Sequence, residues 1–135
     1  MFVNETQLRV RYAETDQMGY VYYGNYATYL EVARVESLRK IGVTYSELEH
    51  NGIMMPVLEY KTKYIRPAKY DQLLTIKTII KELPKIRIVF EYEIYNEDNE
   101  LLNKAETTLV FVDASTMKPI QTPETVTNQL KQYFN

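Results

Sequence analysis

Four long segments rich in isoleucine, valine, threonine and tyrosine fill the second half of this 135-residue chain and limit its fold most strongly. The segments span residues 54–66, 71–83, 86–96 and 100–113. Turn-forming residues separate them, namely Pro67 with Ala68, then Pro84, then Glu97-Asp98-Asn99. Apolar residues alternate with mostly polar ones over 86–95, a pattern that predicts strands with one buried face. Because the links are short, we expect an antiparallel meander.

One long helix precedes these strands. Apolar residues recur at near-helical spacing over about 26–41, Asn25 is the predicted N-cap, and Gly42 provides the stop. Thr44 and Glu47 have the spacing of a capping box and predict a short second helix. An apolar helix beside an antiparallel sheet indicates an α+β fold, and the length indicates one domain over residues 1–135.

Both ends of the chain carry further elements. Residues 5–12 alternate in their centre and predict a first strand. Pro123, expected at the first helical position, predicts a C-terminal helix.

The residue types present exclude several kinds of chemistry. The chain has no cysteine, and its one histidine, His50, ends the short helix, a position typical of a surface residue. There is no G-x-S-x-G, no phosphate-binding glycine loop and no clustered set of metal ligands. We therefore expect no metal and no cofactor, and a carboxylate or tyrosine as the acid–base group of any enzyme.

Charge and hydropathy bear on partners and location. The net charge is −2 and the basic residues are scattered, which argues against a nucleic-acid partner. No apolar run is long enough to span a membrane and no signal segment is apparent, so we expect a cytoplasmic protein.

Asp16 differs from the other three aspartates, which occupy routine turn or strand-end positions. It lies just before the long helix, in a loop crowded with Met18, Tyr20, Val21, Tyr22 and Tyr23. A carboxylate among apolar side chains suits a general base or nucleophile, and free N–H groups at a helix start can bind a developing oxyanion. The alternative is that Asp16 caps its loop or pairs with Arg9 or Arg11.

This stretch resembles the signature of hot-dog-fold acyl-CoA thioesterases. The pattern is an aspartate (Asp16), two residues, a glycine (Gly19), an aromatic run, and a tyrosine that opens the central helix (Tyr26). Two further segments match, Leu30-Glu31-Val32-Ala33-Arg34 and Tyr64-Ile65-Arg66-Pro67-Ala68-Lys69-Tyr70-Asp71. The branch resembled is that of 4-hydroxybenzoyl-CoA thioesterase and of the thioesterases encoded beside the Tol-Pal genes.

The resemblance implies a curved antiparallel sheet of about five strands wrapped around one long helix. It also implies that Asp16 attacks the thioester carbonyl or activates water, while the Tyr23 backbone N–H polarises the thioester oxygen. Gly19 would let the loop approach the acyl group, and Tyr26 would contact the substrate. Coenzyme A enters as part of the substrate.

Further substrate contacts are implied from across a subunit interface, within a homodimer or a homotetramer of two dimers. The segment that lines the pantetheine and acyl path contains Met55, Val57, Leu58 and Glu59. Lys85 and Arg87 match basic residues near the nucleotide phosphates, although both also fit solvated strand-end charges. Glu31 and Arg34 lie one helical turn apart and are expected to form a structural ion pair.

Tyr23 follows the hydroxybenzoyl-CoA enzyme, whereas Tol-Pal-linked members often carry a histidine there. A phenol cannot replace imidazole as a base at neutral pH. The expected activity is hydrolysis of an acyl- or aroyl-CoA thioester, with the acyl group unspecified. Two alternatives are a thioesterase acting on acyl carrier protein thioesters and a non-catalytic acyl-thioester binding protein.

Overall fold

A computed structural model describes residues 1–135 and shows a five-stranded antiparallel sheet packed against one long helix, as predicted. The helices are α1 (Asn25–Lys40), α2 (Tyr45–His50) and α3 (Glu124–Leu130). The strands are β1 (Phe2–Arg9), β2 (Ile53–Met54), β3 (Val57–Tyr64), β4 (Leu73–Ile80), β5 (Arg87–Tyr95), β6 (Leu101–Val110) and β7 (Val112–Asp113).

The order of strands in the main sheet is β1-β4-β5-β6-β3. The meander prediction is correct for β4, β5 and β6 and wrong for β3, which pairs with β6 instead of β4. The N–H groups of Ile65 and Arg66 both donate to the Leu102 carbonyl, so the chain leaves β3 beside β6. Residues 65–72 then cross to β4, and β3, which carries Lys61 and Lys63, remains an edge strand.

Two of the predicted long strands are interrupted. Segment 54–66 divides into β2 and β3, and segment 100–113 divides into β6 and β7, because β2 and β7 pair in a separate small sheet. The first strand begins at Phe2, three residues earlier than predicted, and pairs with β4 along its whole length.

The core lies between α1 and the sheet. The alternation predicted for 86–95 is confirmed within β5, because Ile88, Phe90, Tyr92 and Ile94 are all buried. Ile86, which precedes the strand, is exposed instead. Leu30, Ala33 and Leu38 of α1 are also fully buried. Full burial stabilises each such leucine or isoleucine side chain by about 1.5–3 kcal/mol, so this layer holds helix and sheet together.

The starts of the three helices agree only in part with the predicted caps. Asn25 is not the N-cap of α1: Gly24 occupies that position, and the Asn25 side chain donates to the Glu14 carbonyl at 2.9 Å. Thr44 caps α2 as predicted by accepting from the Glu47 N–H at 3.2 Å. Pro123 is the N-cap residue of α3, one position before the first helical residue. No helix has the length and apolar character needed to cross a bilayer.

Candidate active site

The loop that carries Asp16 is closed by a tight turn. The Asp16 N–H donates to the Tyr20 carbonyl at 2.8 Å, and the Gly19 N–H donates to the Asp16 carbonyl at 3.0 Å. Gly19 has φ +76°, a left-handed conformation that favours glycine. The turn therefore depends on glycine at this position.

The carboxylate of Asp16 is held through one oxygen only. Oδ1 accepts from the Met18 N–H at 2.8 Å and the Tyr20 N–H at 3.2 Å. The loop-capping alternative is thus correct for Oδ1. Pairing with arginine is not observed, because the ion pairs of Arg9 and Arg11 are with other carboxylates. Oδ2 accepts no hydrogen bond from the protein, which leaves one oriented oxygen available for chemistry.

Free backbone donors lie at the start of α1. The Tyr22 N–H donates to the Glu14 carbonyl and the Asn25 N–H donates to the Tyr22 carbonyl, both at 2.9 Å. Tyr23 and Gly24 lie between these two residues in the chain, and neither of their N–H groups donates to a protein acceptor. Unpaired N–H groups at the positive end of a sixteen-residue helix favour a developing negative charge.

Asp16 and Tyr23 line one cavity of about 500 Å³. Its remaining walls are mostly apolar or aromatic: Met18, Tyr20, Val21, Tyr22, Tyr26, Tyr64, Ile65, Arg66 and Pro67. The Tyr26 and Tyr64 rings meet edge to face at 5.2 Å, and the Tyr22 and Tyr23 rings lie 4.7 Å apart. Such walls suit an apolar or aromatic group beside the carboxylate.

Tyr26 is a neutral group in this cavity. Burial raises the pKa of its phenol above the ordinary value, and the nearby Tyr64 and Tyr60 phenols add to the rise. At neutral pH it can therefore donate a hydrogen bond but cannot act as a base. The tyrosines form the walls, and Asp16 is the one carboxylate lining the cavity.

Glu14 anchors the loop that carries Asp16, a role that the sequence patterns did not predict. Its carboxylate accepts from the Tyr29 hydroxyl at 2.8 Å, from the Arg11 N–H at 2.8 Å and from the Arg11 guanidinium at 2.8 and 3.2 Å. Burial alone would raise the pKa of Glu14, but these hydrogen bonds outweigh it and hold the pKa below its usual range. The sequence feature that could have indicated this role is Tyr29, which lies three residues after Tyr26 on the buried side of α1 and whose hydroxyl needs a buried partner.

The other predicted site residues lie away from Asp16 within one chain. Leu58, Lys85 and Arg87 line a second cavity, of about 970 Å³, near the start of β3. Val57 lines a smaller cavity between α1 and β3, whereas Met55 and Glu59 line none of these. The cavity lined by Asp16 lies at the end of β3. The start and end of this eight-residue strand are roughly 24 Å apart, so the two cavities are separated by about the length of β3.

The expected ion pair between Glu31 and Arg34 is absent within the chain. The Arg34 Nε donates instead to the Tyr45 hydroxyl at 3.2 Å, and no carboxylate lies within 4 Å of the guanidinium. The cause is orientation: Arg34 turns inward and is 7% exposed, whereas Glu31 remains at the surface.

Comparison with known proteins identifies the family. The profile of the thioesterase-like superfamily matches residues 10–130. YneP of Bacillus subtilis, a candidate acyl-CoA thioesterase, is 38% identical over 121 residues, which cover 90% of this chain and 88% of YneP. The acyl-CoA thioester hydrolase YbgC of Escherichia coli is 35% identical over 125 residues and 93% of each chain.

The fold agrees with the same group. The solved structure of DHNA-CoA thioesterase from Staphylococcus aureus superposes with a TM-score of 0.86 at 37% identity, over 99% of this chain and 85% of that one. The resemblance seen in the motif from Asp16 to Tyr26 thus extends over nearly the whole chain. The chain therefore belongs to the thioesterase-like superfamily and is a thioester hydrolase with the hot-dog fold.

Proposed function

We propose that this protein hydrolyses an acyl- or aroyl-CoA thioester to the free acid and coenzyme A, with Asp16 as nucleophile or general base. The observation that carries the proposal is the pairing of two free groups in one cavity. Oδ2 of Asp16 and the N–H of Tyr23 both lack protein partners, and both residues line the apolar cavity at the start of α1.

These two groups match the needs of thioester hydrolysis. Asp16 either attacks the carbonyl carbon, forming an anhydride that water opens, or takes a proton from the attacking water. In both routes negative charge develops on the carbonyl oxygen, and the Tyr23 N–H stabilises it. The carbon–sulfur bond breaks, the sulfur leaves as the thiol of coenzyme A after gaining a proton, and the acyl group leaves as the carboxylic acid.

We propose that the working unit is at least a homodimer joined through β3. This edge strand is exposed on both sides and carries large apolar residues, including Val57, Leu58 and Tyr64, that are about half exposed. A two-fold axis between paired β3 strands makes them antiparallel, so the start of one lies beside the end of the other. Met55, Val57, Leu58 and Glu59 of the partner subunit would then border the Asp16 cavity. A tetramer of two such dimers is the further expectation.

Lys85 and Arg87 are the proposed contacts for the nucleotide phosphates. Both are exposed, and no carboxylate lies within 4 Å of either charged group. They line the same large cavity as Leu58, which Glu82, Glu91 and Glu106 also line. That cavity adjoins the start of β3, which the proposed dimer brings toward the partner's Asp16 cavity. A phosphate group would give these two cations the counter-charge they lack.

The aromatic walls favour a substrate with an aromatic or apolar acyl group. Two relatives agree with this range: YbgC of E. coli is named for acyl-CoA hydrolysis, and the S. aureus structure is that of a DHNA-CoA thioesterase. The tyrosine-lined cavity of about 500 Å³ has room for either kind of group.

The test compares Asp16→Asn with Asp98→Asn, a change at an exposed hairpin aspartate. Thiol release is followed with a panel of acyl- and aroyl-CoAs and with acyl carrier protein thioesters. We expect Asp16→Asn to lower kcat by about 10²-fold or more and Asp98→Asn to leave it unchanged. Unchanged activity in Asp16→Asn would refute the mechanism. Activity on carrier-protein thioesters alone would replace the proposed substrate, and none on either class would indicate a non-catalytic binder.

A further inference from the structure

Arg34 is a buried cation without a counter-charge in the single chain. The residue is 7% exposed, its Nε donates to the Tyr45 hydroxyl at 3.2 Å, and the Tyr92 hydroxyl is a second partner. Burial raises the pKa of both phenols, so both are neutral at pH 7. Burial of an unpaired charge is costly, so proteins normally supply an opposite charge at such positions. The missing carboxylate must come from outside this chain or from a rearrangement within it.

The guanidinium lies at the wall of a small open cavity between α1 and the edge strand β3. The cavity has a volume of about 210 Å³ and is lined by Ala27, Thr28, Glu31, Arg34, Val57, Tyr60 and Thr107. Glu31 is the one carboxylate among these residues; it is exposed and forms no ion pair. One helical face thus presents an unpaired anion and an unpaired cation one turn apart.

The dimer proposed above, on which this step rests, brings two copies of that face together. Pairing of β3 with β3 joins the sheets, and a two-fold axis places both α1 helices on the same face of the joined sheet. The side of α1 directed toward β3, which carries Glu31 and Arg34, is then directed toward the partner's α1. In such an interface each contact occurs twice, with the two residues exchanged.

We propose that Arg34 is neutralised by Glu31 of the partner subunit, and Glu31 by Arg34 of the partner subunit. Two symmetric ion pairs then join the two α1 helices across the two-fold axis. The within-chain pair expected from the spacing is replaced by a pair between chains.

Charge reversal distinguishes a Glu31–Arg34 pair between subunits from a pair within one chain. In a Glu31→Arg homodimer both contacts become arginine against arginine, and in an Arg34→Glu homodimer both become carboxylate against carboxylate. We expect each variant alone to raise the dimer dissociation constant by about 10²-fold or more. An equimolar mixture of the two variants should restore a tight heterodimer, because every cross-subunit contact is again opposite in charge. Sedimentation equilibrium on the full chain measures all three.

The control reverses an exposed pair on the same helix. Arg39 and Glu36 form an ion pair at 3.4 Å within the chain, and Arg39→Glu or Glu36→Arg should leave the dissociation constant unchanged. If Arg34→Glu fails to fold, as circular dichroism would reveal, Arg34→Gln combined with Glu31→Gln in a double-mutant cycle takes its place. Coupling of about tenfold or more in the dissociation constant then supports the pair.

Three results overturn the inference. If both single variants remain as tightly dimeric as the wild type, the cross-subunit pair is wrong while the proposed dimer stands. If a chain that carries both Glu31→Arg and Arg34→Glu dimerises but the mixture of the two single variants does not, the pair forms within a chain. If the wild type is monomeric at assay concentration, the proposed dimer itself fails, and thioester hydrolysis by that monomer is then measured separately.

Discussion

Removal of the Tyr29 hydroxyl measures how strongly the buried Glu14 carboxylate holds the Asp16 loop. Glu14 is 7% exposed and Tyr29 is 2% exposed, so water cannot replace the lost donor without a rearrangement. The Glu14 carbonyl also accepts from the Tyr22 N–H and the Asn25 side chain, both at 2.9 Å. Glu14 therefore connects the loop to the start of α1 through its backbone and its side chain.

We expect Tyr29→Phe to lower the free energy of unfolding by about 2 kcal/mol, within the 1.5–3 kcal/mol range for a hydrogen bond to a charged group. For a chain of this length that loss corresponds to a fall in Tm of about 7 °C. The Arg11 donors remain in place, so the carboxylate keeps its charge and the effect stays well below that of an unpaired buried ion.

Urea unfolding at pH 7 and fixed protein concentration gives the measurement, since subunit association would shift the apparent stability. Tyr95→Phe is the matched control: its hydroxyl donates to the Glu93 carboxylate at 2.7 Å on the outer face of the sheet, where both residues are partly exposed. We expect this control to change stability by less than about 0.5 kcal/mol. Equal effects of Tyr29→Phe and Tyr95→Phe would show that burial does not strengthen the Glu14 contact.

The same pair sets a dependence on acid pH. The pKa of Glu14 in the folded state is below its unfolded value of about 4.3, so its contribution is present above that pH. It is lost as the pH falls through the folded-state pKa. Glu14→Gln should therefore be less stable than the wild type at pH 7, with a smaller decline between about pH 5 and 3. Parallel declines in the two proteins would contradict this assignment.

Two further predictions concern residues of the candidate site. Gly19→Ala should lower the free energy of unfolding by about 1–2 kcal/mol, because φ is +76° at this position. The cost is one of backbone conformation, since no atom lies within 4 Å of an added Cβ. Thermal unfolding tests this, and an unchanged Tm would show that the turn relaxes freely. Lys85→Gln should raise KM for acyl-CoA by about 5–10-fold through loss of a charge-assisted phosphate contact, with kcat unchanged. Acyl-pantetheine, which lacks the nucleotide, is the control substrate. An equal rise in the KM for acyl-pantetheine would show that Lys85 does not contact the phosphates.

Local sequence patterns predicted the parts of this protein that depend on local geometry. The alternation of Ile88, Phe90, Tyr92 and Ile94 predicted the buried face of β5, because successive side chains of a strand point to opposite faces. The motif from Asp16 to Tyr26, with two further matching segments, predicted the family. Its turn from Asp16 to Tyr20 is closed by hydrogen bonds between residues at most four positions apart.

Only the tertiary structure decided how distant segments meet. Residues 65–72, between β3 and β4, can span up to about 26 Å, whereas three strand spacings amount to only about 14 Å. The chain can therefore return beside β3 or cross to the far side of β5 and β6, and the local pattern is the same in both cases. Crossing leaves β3 at the edge of the sheet, where its outer side has no partner strand in this chain. Contacts such as Tyr29 with Glu14, fifteen residues apart, likewise depend on where α1 packs and not on a periodic signal.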